Sequence, residues 1–321
     1  MKKYFAKRLL LTLIILLGVS IFIFIILQKQ PGNPYLNSLN PNISQEQTEQ
    51  ILRQKGYYDS LPVKFIKWFK GVLVLDFGYS IQFKEPVIDL IMDRLPKTLM
   101  ITIQSLLLSL ILSIPIGMYV TYKENHFISK VINWFSLIGI SMPTFFFAIL
   151  LIKWFSFDLN LFPFSGTGDI TGNSSFLTTL YHGILPIMTL SIIQMSNFIR
   201  YIESYLSHEV SQKYFEAAQG FGFTKWQTLL KFALPSILPQ IVTLIFMEIP
   251  VLFSGALITE TIFVWPGIGK LNYDAVAYRD YPLIMGLLIF TVFIILISNL
   301  IADLLANQLI RTNDVTKGGR S

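Results

Sequence analysis

"YFEAAQGFGFTKWQTLLKFALP", Tyr214 to Pro235, is a polar stretch with glycines at 220 and 222, set between two long apolar runs. Lys213 to Gln219 reads as helix, the glycines break it, and Thr224 opens a second helical turn. Thr224 and Gln227 have capping-box spacing: the hydroxyl accepts from the third amide while the glutamine side chain reaches back. Trp226, Leu229, Leu230 and Ala233 recur at helical spacing on one expected face, and Pro235 is expected to end the helix. The sequence therefore predicts two short helices with a glycine-permitted bend. Such a unit is either a rigid docking knob or an interfacial anchor for the runs on either side.

Those runs set the class of the whole chain. Of 321 residues, 53% are hydrophobic and 14% are charged, and the mean hydropathy is +0.58. A soluble domain is about a quarter charged. Apolar runs of about 20 residues cross a hydrocarbon layer ~30 Å thick, and lipid leaves no partner for an open backbone, so they are expected as membrane-spanning helices. The absence of cysteine excludes disulfides, thiolate metal sites and cysteine nucleophiles. The net charge of +6 is not a nucleic-acid signal here, because in a membrane protein the placement of basic residues matters more than their sum.

Six spans are predicted, an all-α polytopic architecture. Leu9 to Leu27 is too long for a signal core and reads as a retained first span within residues 1–28. The others are Thr98 to Tyr122, Val131 to Phe157, His182 to Tyr201, Ile237 to Phe263 and Leu283 to Ile310, a five-helix core over 98–310 with a loop at 204–236 that contains the quoted stretch. Lys2, Lys3, Lys7, Arg8, Lys123, Lys130, Arg200, Lys213, Lys225, Lys231, Arg311, Lys317 and Arg320 fall on one side, against Lys270 and Arg279 on the other. The first side is expected to be cytoplasmic, carrying both termini and the quoted loop. Residues 29–97 are then an extracytoplasmic segment, with loop at its start, a helix over Ser44 to Lys55 capped by Ser44, and a second, amphipathic helix in "LPVKFIKWFKGVL". The tail 311–321 is expected to fray.

Within the spans, Ser105, Ser109, Ser113 and Gly117 make a small-residue stripe that lets another helix approach closely. Pro115, Pro143, Pro186 and Pro250 are expected to interrupt or kink their spans. These features fit ordinary bundle packing first, and otherwise a path that opens and closes. Glu248 falls near the midplane of the fifth span, where a carboxyl group costs at least ~2.5 kcal/mol unless it meets water or a partner. It either lines a route for a cationic group or fixes packing near Pro250. Asp303 and Asn299 read as structural, and Lys153 as snorkelling outward. His126, His182 and His208 are isolated and lack ligand spacing, so no metal site is expected.

The order of residues adds a resemblance. "EAA" at Glu216 to Ala218, Gly222, then Phe232, Leu234 and Pro235 resembles the EAA loop of permease subunits from binding-protein-dependent ABC importers. "LLGVSIFIFIILQKQPGNP", "LPVKFIKWFKGVLVLDFGYSI", "RLPKTL", "GISMPTFF" and "ETIFVWPGIGKLNYDAVAYRDYPLIMG" resemble the oligopeptide/dipeptide/nickel branch, in order along nearly the whole chain. The resemblance implies a type I importer permease fold and import of peptides by alternating access. It implies a second homologous permease, two ATP-binding subunits and an extracytoplasmic substrate-binding protein, in a bacterial cytoplasmic membrane.

On that resemblance, Glu216, Ala217, Ala218, Gly222, Thr224 and Trp226 are expected to couple to the ATPases. Glu248, Ser141 and Pro143 are candidates for the substrate pathway, and Glu260 and Trp265 for an external gate. The chain has no GxxxxGK[ST], so ATP and magnesium are expected on partner subunits, with no cofactor bound here. Two other functions are weighed. A nickel or metal-chelate importer shares these motifs. A secondary transporter needs no ATPase, but the coupling loop and the lack of an inverted repeat stand against it. No catalytic triad, carboxylate pair or HExxH supports a membrane enzyme.

Overall fold

Apolar runs with no water to satisfy their amides close their hydrogen bonds internally, and the computed structural model is helical accordingly. It describes residues 2–29, 45–54, 56–168 and 175–318. In chain order the helices are α1 (Lys2–Gln28), α2 (Gln45–Gln54), α3 (Leu61–Leu73), α4 (Val87–Tyr122), α5 (Phe127–Ser141) and α6 (Thr144–Leu151). A π-helical segment over Ile152–Asp158 follows, then α7 (Phe176–Val210), α8 (Lys213–Gly220) and α9 (Lys225–Thr228). A second π segment, Leu229–Ala233, leads into α10 (Leu234–Ile262), α11 (Ile268–Ala277) and α12 (Tyr281–Gly318). Among the described residues the β-pairing is an isolated bridge between Tyr79 and Pro86.

Five helices are long and apolar enough to cross a membrane, and a pair bent by 109°, α5 with α6 and its π extension, is either a sixth, broken span or a re-entrant loop. The corner is at Met142–Pro143: Pro143 has no amide to continue α5 and instead caps α6 in extended conformation. The other prolines do not interrupt their helices. Pro115, Pro186 and Pro250 lie inside continuous helices, and Pro235 ends nothing, standing in the first turn of α10. The wider i→i+5 turns of Leu229–Ala233 precede Pro235, where a proline removes one amide donor and crowds the carbonyl four residues back. The chain thus runs helically from α9 into α10. Helix ends also exceed expectation: α4 begins at Val87, and α12 is helical to Gly318 through most of the tail expected to fray. The proposed Ser44 cap lies outside the described residues.

The chain divides into two compact units, one of residues 1–97 with 267–297, the other of 98–266 with 298–321. In the first, Phe24 and Leu27 of α1 share a core with Phe77, Val87 and Ile91, and with α11 and the start of α12. The apolar side of α3 meets that core through Phe65 and Trp68, whose rings lie 5.3 and 6.0 Å from Phe24. Asp280, 1% exposed, binds the unit together. Its carboxylate accepts from the Ser80 hydroxyl at 2.5 Å, the Gln82 amide at 2.9 Å and the Leu283 amide at 3.2 Å, the last capping α12.

In the second unit α7 is the central post. The serine stripe of α4 is wholly buried. Ser109 donates to Gln194 Oε1 at 3.1 Å, Gln194 Nε2 donates to Ser105 at 3.3 Å, and Ser191 donates to the Ser105 carbonyl at 3.2 Å. Gly117 lies so close to α7 that a Cβ would meet Ile202 at 2.7 Å, and a Cβ on Gly139 of α5 would meet Ser196 Oγ at 2.0 Å. Small residues let these backbones approach, and the buried polar atoms bond across the gap.

Candidate coupling and gating sites

The loop joining α7 to α10 is stiffened at every joint. At its start, Phe215 of α8 is buried among Leu206, Leu229, Ala233 and Ile237. Tyr214 donates to Glu209, and its phenol is pushed above the ordinary tyrosine range, by burial first and then by that carboxylate. At the bend, Gly222 adopts φ +91°. The amide of Phe223 reaches the Ala218 carbonyl at 3.2 Å and that of Gly222 reaches Gln219 at 2.9 Å, a Schellman ending. Gly222 therefore ends α8, while Gly220 remains helical.

The second half starts with the capping box: the Gln227 amide donates to Thr224 Oγ1 at 3.2 Å and the Thr224 amide to Gln227 Oε1 at 3.0 Å. The four apolar residues expected on one face divide. Leu229 and Ala233 are fully buried, whereas Trp226 is 38% and Leu230 48% exposed. The π turns change the angular step between residues, so α-helical spacing misplaces them. Trp226 is nevertheless engaged, edge-on to Tyr122 of α4 at 5.5 Å, a contact type worth about 0.5–1.5 kcal/mol beyond burial. The outward surface is formed by Glu216, Ala217, Gln219, Gly220, Phe221 and Gly222. Phe221, 86% exposed, was not singled out from the sequence; an aromatic between two glycines at a helix end was its signal.

The gate candidates lie together at the other end of α10. Glu260 and Trp265 are 0% exposed. Thr98 of α4 donates to Glu260 Oε1 at 2.6 Å, and the Trp265 amide donates to the Glu260 carbonyl at 2.8 Å. Val264, at φ +50°, makes the reversal that allows this. The indole packs with Ile101 of α4 and Ile187 and Leu190 of α7, its ring 3.5 Å from where a Cβ on Gly183 would sit. Unmaking a hydrogen bond to a buried carboxyl group costs about 1–3 kcal/mol or more. Thr98 also escaped the sequence reading, although it continues the buried stripe in helical register through Thr102 to Ser105.

Of the pathway candidates, Ser141 and Pro143 flank the 109° corner, both exposed. Glu248 is half-buried on α10, and among the described residues no hydrogen bond joins it to that corner. The histidines serve local structure: His126 caps α5 by accepting from the Ile128 amide at 3.3 Å, and His182 Nδ1 lies 3.0 Å from the Ser165 carbonyl. Lys153 pairs with Asp158 at 2.7 Å. Among the described residues no group of three or more His, Asp or Glu side chains could hold a metal ion.

The chain is similar to known proteins along nearly its whole length. Residues 113–313 match the family model of binding-protein-dependent transport system inner membrane components, and residues 1–102 match that family's N-terminal model. The oligopeptide transport system permease protein AppB of Bacillus subtilis is 35% identical, over 95% of this chain and 97% of that protein. The nickel import system permease protein NikB of Staphylococcus aureus is 33% identical, over 93% and 88%. A probable peptide ABC transporter permease protein of Sinorhizobium fredii, y4tP, is 30% identical, over 94% and 96%. A chain of the MetNI methionine ABC transporter, solved in inward-facing conformations, superimposes with a TM-score of 0.56 at 18% identity, over 69% of this chain and 96% of that one. That likeness shows the fold, a type I importer permease. The chain belongs to the binding-protein-dependent transport system inner membrane components, and is the membrane permease subunit of an ABC importer.

Proposed function

We propose that this permease imports oligopeptides or dipeptides, and that the loop over 204–236 is where separate ATPase subunits drive it. One observation carries the mechanism. The segment between α7 and α10 is rooted by buried Phe215 and Leu229 and stiffened by two helix caps, yet turns Glu216, Ala217 and Gly222 outward. Force from another polypeptide needs such a stiff lever, with small residues where the partner approaches. Closure of the ATPase pair would move this lever and with it α7 and α10, shifting the bundle between inward-open and outward-open packings. In this reading the loop and both termini are cytoplasmic, and 29–97 is an extracytoplasmic segment that receives the binding protein. Two ATP-binding subunits carry the nucleotide and magnesium, and a second permease completes the bundle.

Glu260 and Trp265 form the external gate, and Ser141, Pro143 and Glu248 face the route of the cargo. Peptide cargo is favoured by the relatives named for oligopeptides and peptides; the relative named for nickel supports a metal or metal chelate as the second reading. The test is uptake by the assembled complex in vesicles, with labelled peptides and nickel offered side by side. ATP-dependent accumulation of peptide, abolished by Ala217→Trp on the lever, is expected. Accumulation of nickel without peptide would replace the cargo, and uptake indifferent to Ala217→Trp would remove the lever.

A further inference from the structure

α4 meets the helical run from α9 through α10 at two places, one on α9 and one near the far end of α10. At the lever end Tyr122 meets Trp226, just before the π turn that opens into α10. At the other end Thr98 donates to Glu260 at 2.6 Å. Along α4 the two joints are about 36 Å apart, at ~1.5 Å per residue.

The joints differ in kind. Trp226 is 38% exposed and its contact with Tyr122 is an edge-to-face pair at 77°. Such a pair is worth only about 0.5–1.5 kcal/mol beyond the area it buries, so it can be given up at small cost. Thr98 and Glu260 are both 0% exposed. Separating them strips a donor from a buried carboxyl group that water does not reach. The surroundings reinforce this joint: the Glu260 carbonyl holds the Trp265 amide, and the indole sits against α4 and α7. The π segment lies at the base of α10 and Pro239 in its second turn, both at the lever end, so that end carries two sources of deformability.

We propose that Thr98 and Glu260 are the pivot of the transport stroke: their bond stays made throughout the cycle while the Tyr122–Trp226 contact slips and α10 swings about its far end relative to α4. Thr98 and Glu260 are positioning residues on this account, acting through helix placement without touching cargo. The gate then opens by rotation about an intact bond. The proposal rests on the ATP-driven reading given above and adds where the motion is hinged.

The chain has no native cysteine, so paired spin labels can be placed on it cleanly, in the assembled complex. Ile103 and Ile258, 50% and 41% exposed, report on the pivot end; Lys123 and Leu230, both exposed, report on the lever end. Between nucleotide-free and nucleotide-trapped complexes, the 103–258 distance distribution is expected to stay in place while the 123–230 distribution moves outside its starting range. A 103–258 change as large as the 123–230 change would overturn the pivot, as would no movement of either pair in a complex that still hydrolyses ATP and takes up cargo.

A second arm needs no label. Thr98→Val is expected to lower cargo imported per ATP hydrolysed by about tenfold at unchanged complex yield, with Thr98→Ser restoring it. Loss of uptake only in proportion to lost complex, or no loss, would also overturn the proposal. Failure of the unmodified complex to transport peptide is a different result: it removes the cargo assignment and leaves the hinge measurement intact.

Discussion

Gly222 and Thr224 show how much of the proposed lever depends on single residues. Gly222 has open space around it and φ +91°, so Gly222→Ala costs backbone strain alone, about 1–2 kcal/mol. Its expected signature is faster hydrogen exchange at the Gly222 and Phe223 amides, roughly tenfold, with the rest of the chain unchanged. Thr224→Ala removes the cap and costs about 1 kcal/mol, read out as faster exchange at Gln227. Tyr214 gives a pH dependence. Its folded phenol ionises above the ordinary value of about 10, chiefly because it is buried and then because it faces Glu209. The stabilisation from its neutral form is therefore complete below about pH 10 and is lost as pH rises above that, when the unfolded phenol ionises first. Lever stability should be flat from neutral pH to about pH 9 in the native chain and in Tyr214→Phe, and only the native chain should lose stability above pH 10 through this group.

At the scale of elements, close approach is the governing fact. A Cβ on Gly139 would sit 2.0 Å from Ser196 Oγ and 2.9 Å from Ser196 Cβ, so Gly139→Ala overpacks α5 against α7 by about 1–3 kcal/mol. Thermal unfolding of the purified complex should show the loss, and Ser196→Gly in the same chain should recover part of it; no recovery would mean that the two helices do not meet there. The serine stripe was legible in the sequence because small residues every fourth position leave room on one helix face for another helix to approach. The capping box and the two-helix form of the lever were legible for a similar reason: local hydrogen bonds depend on local spacing. Pro235 and the face of Trp226 were misread because π turns leave no pattern in composition, and a rule built on 3.6 residues per turn carries the error forward. Thr98 and Glu260 could not be paired in advance, since their bond depends on how α4 and α10 come together.

At the scale of the molecule, the outline of an all-helical membrane permease was readable end to end, whereas the division into compact units was not. Residues 1–97 pack with 267–297, a partnership across most of the chain that no periodicity announces. Asp280 is its keystone, so Asp280→Ala should cost at least ~2 kcal/mol by stripping the acceptor from buried donors. The measurement is protease cleavage within residues 76–86, which should become fast in the variant and stay slow in the native chain. The same bond has a consequence for biosynthesis. Ser80 and Asp280 are 200 residues apart, so a ribosome that has delivered Ser80 must finish most of the polypeptide before its acceptor exists. Until then Phe24, Phe77 and Ile91 lack much of their apolar cover, and a nascent chain stalled before residue 267 would present that surface to insertion chaperones and quality-control proteases.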